Sequence, residues 1–262
     1  MSSLEILTGK PHLSHSSFAQ FVRCGEQYRL SRIKGYRDTR SWAMLGGSAV
    51  HKATEDLDLG RESDIQIAWD RAWAMQHDTI TPGETIRATG RSSSQWPNKE
   101  NADWWDHHGP QHVQAWVDWW DARLAEGWNM LGVELPFETE IEGVLIVGYI
   151  DRLVVDSNGQ VRVIDLKSGA RKEASLLQLA IYRLALAATQ QPVPELGAYF
   201  RTRFPGTEPE WAVLSRFRSD LVGRWLSNAK TAIEAEIFIP NISDHCSWCG
   251  VKEHCTAWGG ED

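Results

Sequence analysis

Gly148-Tyr149-Ile150-Asp151-Arg152-Leu153-Val154-Val155-Asp156-Ser157-Asn158-Gly159-Gln160-Val161-Arg162-Val163-Ile164-Asp165-Leu166-Lys167-Ser168-Gly169 decides how the chain is read. Two apolar runs flank Asp156-Ser157-Asn158-Gly159, a hairpin turn signal, so 144–155 and 160–167 are expected to be neighbouring strands. Charge interrupts both runs: Asp151 in the first, Asp165 and Lys167 in the second. Strand side chains alternate, so Asp165 and Lys167 share one face and Leu166 takes the other. A carboxylate and an ammonium set into an apolar strand are costly to bury without a partner or an ion. That cost is the first pointer to a site.

Outward from the hairpin, 133–142 alternates imperfectly and contains Pro136, which suits an edge strand. Downstream, 173–189 carries Leu176, Leu177, Ala180, Ile181, Leu184 and Ala185 at helical spacing and sets Gln178 and Tyr182 at i, i+4. Strands over 196–202 and 211–214 and a helix over 220–236 follow, the helix stopped before Pro240. At the other end, Ser14 suits the N-cap of a helix running to about residue 33. Gly46-Gly47-Ser48 leads into a second helix, 49–59, with His51 and Glu55 at i, i+4. Ile65, Ala68, Trp69, Ala72 and Trp73 predict a helix over 64–76. The Thr-, Ser-, Gly- and Pro-rich 79–101 reads as an exposed connection, and 110–126 as a Trp-rich helix. Residues 64–128 are expected to form a helical insertion beside the sheet, within one domain spanning 1–262.

A chain of 262 residues can bury one substantial core,. Its 42% hydrophobic and 24% charged content is that of an ordinary soluble globular protein,. The net charge of −8 argues against a non-specific nucleic-acid coat, but basic residues cluster locally,. The clusters are Arg29, Arg32, Lys34, Arg37 and Arg40; Arg171 and Lys172; Arg201 and Arg203; Arg216 and Arg218, each a solvated face when taken alone. No apolar run is long enough to span a membrane. The N-terminus lacks a basic segment followed by an apolar one, so a cytoplasmic location is expected. Fourteen tryptophans suit packing, with some available to stack on bases,.

Two carboxylates close in space bind a hard divalent cation such as magnesium or manganese. Such a cation lowers the pKa of a bound water and stabilises phosphoryl charge, while a lysine beside it orients that water or neutralises the transition state. Asp151, Asp165 and Lys167 supply those parts. An imidazole from His51 would shift preference towards manganese. The four cysteines form a second pattern: Cys24, then Cys246-x-x-Cys249 and Cys255. In a cytosolic chain this favours metal over disulfide, and zinc and a [4Fe–4S] cluster both remain open.

Four short motifs in order carry a resemblance. Gly47-Ser48-Ala49-Val50-His51, Gly148-Tyr149-Ile150-Asp151-Arg152, Asp165-Leu166-Lys167 and Gln178-Leu179-Ala180-Ile181-Tyr182 resemble those of the PD-(D/E)XK nuclease superfamily in its RecB-like branch,. Each is weak alone; together, on helix, strand, strand and helix, they are specific. The resemblance implies an α/β fold, with a restriction-endonuclease-like mixed sheet flanked by helices. It implies metal ligation by His51, Asp151, Asp165 and the Leu166 carbonyl, with Lys167 acting on the attacking water. Gln178 and Tyr182 would line the catalytic site, and Glu55 and Glu134 are supporting candidates. The cysteine pattern, with Phe21-Val22-Arg23-Cys24-Gly25-Glu26-Gln27-Tyr28, resembles the iron–sulfur subset of the branch, including the CRISPR-associated Cas-four family and phage exonucleases. Gly25 stands where that subset often has proline. A [4Fe–4S] cluster on Cys24, Cys246, Cys249 and Cys255 would staple the chain ends together.

The implied activity is metal-dependent exonucleolytic hydrolysis of DNA, on single-stranded ends, in recombination, replication, repair or CRISPR-related processing. A helicase or a recombination or CRISPR protein would be a partner, a homo-oligomer is compatible, and the source would be a bacterial cell or its phage. The rival is a non-catalytic DNA-binding or assembly factor on the same fold.

Overall fold

The computed structural model describes residues 3–37, 39–170 and 175–260. The chain opens with α1, Ser3–Thr8, and α2, His15–Arg23. Ser14 caps α2 reciprocally: its hydroxyl accepts from Ser17 N, and the Ser17 hydroxyl accepts from Ser14 N,. The helix expected to reach residue 33 ends instead at Cys24, which is extended at φ −163° and ψ 110°. It resumes as α3, Gly25–Tyr28, and a π-helical turn, Arg29–Ile33. The cause is long-range. Gly25 N donates to Ile239 O at 3.0 Å, and a Cβ on Gly25 would sit 2.7 Å from Ile239 N. The C-terminal segment docks into the break.

Helix α4, Trp42–Asp58, starts earlier than expected, with Ser41 accepting from Met44 N as its cap,. Gly46 and Gly47 therefore lie inside it. A Cβ on Gly46 would meet the Trp105 indole at 2.1 Å, so this glycine serves close helix packing and not entry into the helix. Helix α5, Ile65–Asp78, is capped by Asp64. Helix α6 runs over Ala102–Ala125 from an Asn101 cap, with Pro110 in its interior and not at its start.

Strands β1, Asn129–Ile141; β2, Val144–Val155; β3, Val161–Lys167; β4, Leu196–Arg201; and β5, Ala212–Val213, follow, with α7, Leu177–Ala188, between β3 and β4 and α8, Ser219–Glu234, after β5. They form a five-stranded sheet in the order β1-β2-β3-β4-β5. β3 and β4 are parallel and the remaining neighbours antiparallel. This is the expected mixed sheet, with Pro136 on an edge strand. The expected start of α7 at Glu173, and the basic pair Arg171 and Lys172, lie outside the described residues.

Helices cover both faces. On one, Phe18 of α2, Leu179 and Ile181 of α7 and Val222 and Leu226 of α8 pack on Ile146, Ile150 and Val163. On the other, Trp116, Trp119 and Trp120 of α6 pack on Val154, Ile164, Leu166 and Phe200. Trp69, Trp73 and Trp105 join α4, α5 and α6 in a further cluster. Most tryptophans are thus packing groups.

One irregularity matters for function. The β2–β3 ladder runs from the turn, Val155↔Val161, only to Arg152↔Ile164. β3 stays paired to β4 as far as Lys167↔Arg201, and β2 stays paired to β1. The sheet therefore forks at Asp151.

Candidate active site

The fork collects the charged residues of the hairpin. Leu166 N has no ladder partner on β2 and donates instead to Asp151 Oδ2 at 2.9 Å. Leu166 O accepts from His51 Nε2 at 3.0 Å. That bond fixes the ring: Nε2 carries the proton, and Nδ1 faces Asp151 Oδ2 at 3.4 Å and Glu134 Oε1 at 3.7 Å,. The ligand atoms of His51, Glu134 and Asp151 all lie within 4.8 Å of one another.

Glu134 reaches this place through an unusual backbone. Its φ is 46°, a region a residue with a Cβ rarely adopts and one that costs on the order of 1–3 kcal/mol. The β1–β2 register also shifts between Met130 and Gly132. Strain of this kind persists only where surrounding structure enforces it.

The other half of the site is a closed ring of contacts. Lys167 Nζ lies 2.6 Å from Asp165 Oδ2 and donates to Gln178 Oε1 at 3.0 Å. Gln178 Nε2 donates to the Tyr182 hydroxyl at 2.7 Å, and Tyr182 donates to Asp165 Oδ1 at 3.0 Å. The spacing of Gln178 and Tyr182 on α7 is what allows both to reach β3.

Electrostatics show what the site lacks. Burial, reinforced by Asp165, pushes Asp151 up to about 7. Burial alone would lower His51, but the charges of Asp151, Glu134 and Asp165 outweigh it and raise the ring above the ordinary histidine value. Tyr182 is raised well above the usual phenol value by burial and then by Asp165 and Asp151, so it stays a donor. Glu134 moves the other way, held below the usual carboxylate value because His51 and Arg152 outweigh its burial; the raised Asp151 is the carboxylate that a cation would favour in its charged form.

The donor set fits a hard divalent metal. It is oxygen-rich with one imidazole, and Glu134 Oε1 is shielded from solvent without a hydrogen-bond partner among the described residues. The trio includes His51 and Asp151 from the sequence reading and adds Glu134, which that reading held only in support. Asp165 lies close enough to perturb both partners but is engaged by Tyr182 and Lys167. Glu55 does not join: its carboxylate accepts from Lys52 at 3.1 Å and Arg61 at 2.7 Å on the surface of α4.

Four further residues adjoin the site: Arg152, which closes the Gly148–Arg152 motif, and Thr202, His112 and His15, which carry no local sequence signal. Arg152, fully buried, donates to Asp58 Oδ2 at 2.6 Å, Thr54 Oγ1 at 2.9 Å and Asp151 O at 2.8 Å. It also lies 3.6 Å from Glu134 Oε1, and so bolts α4 to the fork. Thr202 N donates to Lys167 O at 3.1 Å, and His112 Nδ1 of α6 lies 2.8 Å from Thr202 Oγ1. His15, the first residue of α2, feels the charges of Lys167 and Asp165; burial, then Lys167, takes it down to about 4.

The four cysteines line one small cavity with Gln27, Leu30 and His245. Around it, Asn241 Nδ2 donates to Arg23 O at 2.9 Å, His245 Nε2 lies 3.0 Å from Gln27 Oε1, and His254 stacks on Tyr36 at 3.7 Å.

Set beside known proteins, residues 12–256 match the family model of the PD-(D/E)XK nuclease superfamily. The chain belongs to that superfamily. It is similar to the Gene 69 proteins of Mycobacterium phage D29, at 26% identity over 94% of this chain and 96% of that protein, and of Mycobacterium phage L5, at 25% identity over 94% and 96%. A candidate exonuclease of known structure from Eubacterium rectale superposes with a TM-score of 0.49 and 14% identity, covering 93% of this chain and 88% of that one. The chain is therefore a nuclease-superfamily protein with a mixed α/β fold. Among the described residues, no helix is long and apolar enough to cross a membrane.

Proposed function

We propose that this protein is a divalent-metal-dependent deoxyribonuclease that removes nucleotides from single-stranded DNA ends. The carrying observation is the convergence at the fork of the His51–Glu134–Asp151 trio with the Asp165–Lys167–Gln178–Tyr182 ring. His51, Glu134 and Asp151 would hold the metal, with Asp165 beside them. When bound there, magnesium or manganese would polarise a phosphoryl oxygen and acidify a water. The chain's own groups supply the rest. Asp165 and Gln178 hold the Lys167 ammonium where negative charge builds on the scissile phosphate, so its stabilisation needs no reorganisation. Tyr182 keeps Asp165 oriented by donating to it,.

End-labelled single strands, duplexes and covalently closed circles, incubated with manganese, test the reading. Open single strands should be degraded and circles spared, with Lys167→Ala and Asp165→Ala each losing about a hundredfold or more in rate. A binding factor on the same fold would leave every substrate intact.

The cysteine cavity belongs to the same proposal as the seat of a [4Fe–4S] cluster. The support is the convergence of all four cysteines on one cavity, in the one-plus-three pattern of the resemblance. Anaerobically purified protein should be brown, with broad absorption near ~400 nm; colourless protein with one equivalent of zinc would overturn this assignment. The two phage relatives support a phage source acting within a bacterial host, with the helicase or recombination partner supplied separately.

A further inference from the structure

An open groove of about 400 Å³ lies between α2 and α8. Phe18, Phe21 and Val22 form its wall on α2, at i, i+3 and i+4; Trp225 and Ala229 form the wall on α8; Leu177, the first residue of α7, completes the apolar lining. Val22 is 64% exposed and Trp225 38%. Large apolar groups scattered singly on a surface mean little, but these share one concavity of ligand size. The one polar side chain in the lining is Asn228.

Two elements connect the groove to the fork. Leu177 directly precedes Gln178, whose amide accepts from Lys167. His15 opens α2 within the field of Lys167 and Asp165, and Phe18 and Val22 follow it on the same helical face. From His15 to Val22 the axis advances roughly 10 Å. The lining carries no charged side chain, so it suits a base and not a phosphate.

We propose that this groove is a base platform for the single-stranded substrate: an unstacked nucleobase packs on Trp225 and Phe21 while a neighbouring phosphodiester sits at Lys167. The inference rests on the nuclease reading. It gives a physical reason for preferring single strands, because a base paired in a duplex cannot turn into the groove. Every base has a π face, so the platform is sequence-tolerant, with Asn228 at hand for a base edge.

The test uses a labelled thymidine oligonucleotide and the same strand with abasic spacers placed one position at a time. Binding is read by anisotropy in EDTA, and cleavage in manganese. Trp225→Ala should weaken binding about tenfold, within the ~1–3 kcal/mol a stacked base is worth. It should raise KM by a similar factor with little change in kcat, and Trp225→Phe should restore most of the loss. One spacer position should weaken the wild-type protein equally and add nothing to Trp225→Ala. Val22→Glu, which places a carboxylate in the groove, should also weaken binding. Folded Trp225→Ala and Val22→Glu proteins that bind like the wild type would overturn the proposal, as would spacer losses that add to the Trp225→Ala loss. So would a change of oligomeric state with binding unaltered, which would give the groove to a second copy. Groove-dependent binding without cleavage of any DNA would retain the platform and sink the nuclease reading; cleavage indifferent to the groove would do the reverse.

Discussion

At the scale of single residues, the site is a matter of where negative charge is held short of a counter-ion. Asp151, pushed up to about 7, and His51, raised by its carboxylate neighbours, both report that shortage. Glu134 differs: His51 and Arg152 hold it below the usual carboxylate value, and its left-handed backbone brings its carboxylate to the same point. Glu134→Ala should therefore weaken manganese binding by at least about tenfold, the cost that losing even an outer-sphere group carries, while leaving the fold intact; calorimetric titration of manganese reads it directly. The charges of Asp151, Asp165 and Lys167 were legible in the sequence because they interrupt apolar strands. Glu134 was legible only as a supporting candidate, because it sits among Gly132 and Pro136 in a strand whose alternation fails. The register shift that aims it exists only in the pairing with β2. Arg152 stood in a quoted motif, but its partner Asp58 was illegible: a buried ion pair between residues this far apart in the chain leaves no local pattern.

At the scale of elements, the hairpin and α7 follow from periodicity and the mixed sheet from the resemblance, and the helix boundaries follow from neither. Cys24 breaks the first helix because the C-terminal segment pairs with Gly25. Gly46 lies inside α4 because Trp105 needs the space. Both are tertiary reasons, invisible to a local reading. Helix α6 reaches the site through His112, whose contact with Thr202 links the helix to the Lys167 carbonyl. Burial, helped by Arg203 and His108, lowers His112 to about 4. The folded value lies below the unfolded one near 6.5, so this group contributes stability that is present above pH ~6.5 and is lost as pH falls towards ~4. The shift corresponds to at most ~3 kcal/mol. Urea unfolding of the wild type and His112→Gln between pH 7 and 4.5 should show the wild type losing more stability on acidification; parallel curves would show that His112 does not carry it.

At the scale of the molecule, the two ends of the chain meet. Cys24 lies near the start and its three partners near the end, and Gly25 bonds to Ile239 beside them. The proposed cluster would cross-link positions this distant and so remove chain entropy from the unfolded state, on the order of 4–5 kcal/mol by analogy with a long-loop disulfide. Cys24→Ser should accordingly lower the melting temperature sharply while the low residual activity of the folded fraction keeps its metal dependence; an unchanged melting curve would show that no staple exists. The spacing of the cysteines was plain in the sequence. What they enclose was not, because four cysteines specify a volume only once the fold has brought them around one cavity.

Helix α2 has one further consequence. Its first residue, His15, lies within reach of the Lys167 charge, and the residue that ends it is Cys24. It is about 13 Å long, capped at one end and docked at the other, and Phe18, Phe21 and Val22 lie between. A nine-residue strut of this kind has no internal hinge. Damage at the sulfur end would then reach the groove before the fork. If the proposed platform and nuclease site are both real, such a molecule would age in a set order, losing its hold on the strand first and its capacity for hydrolysis last.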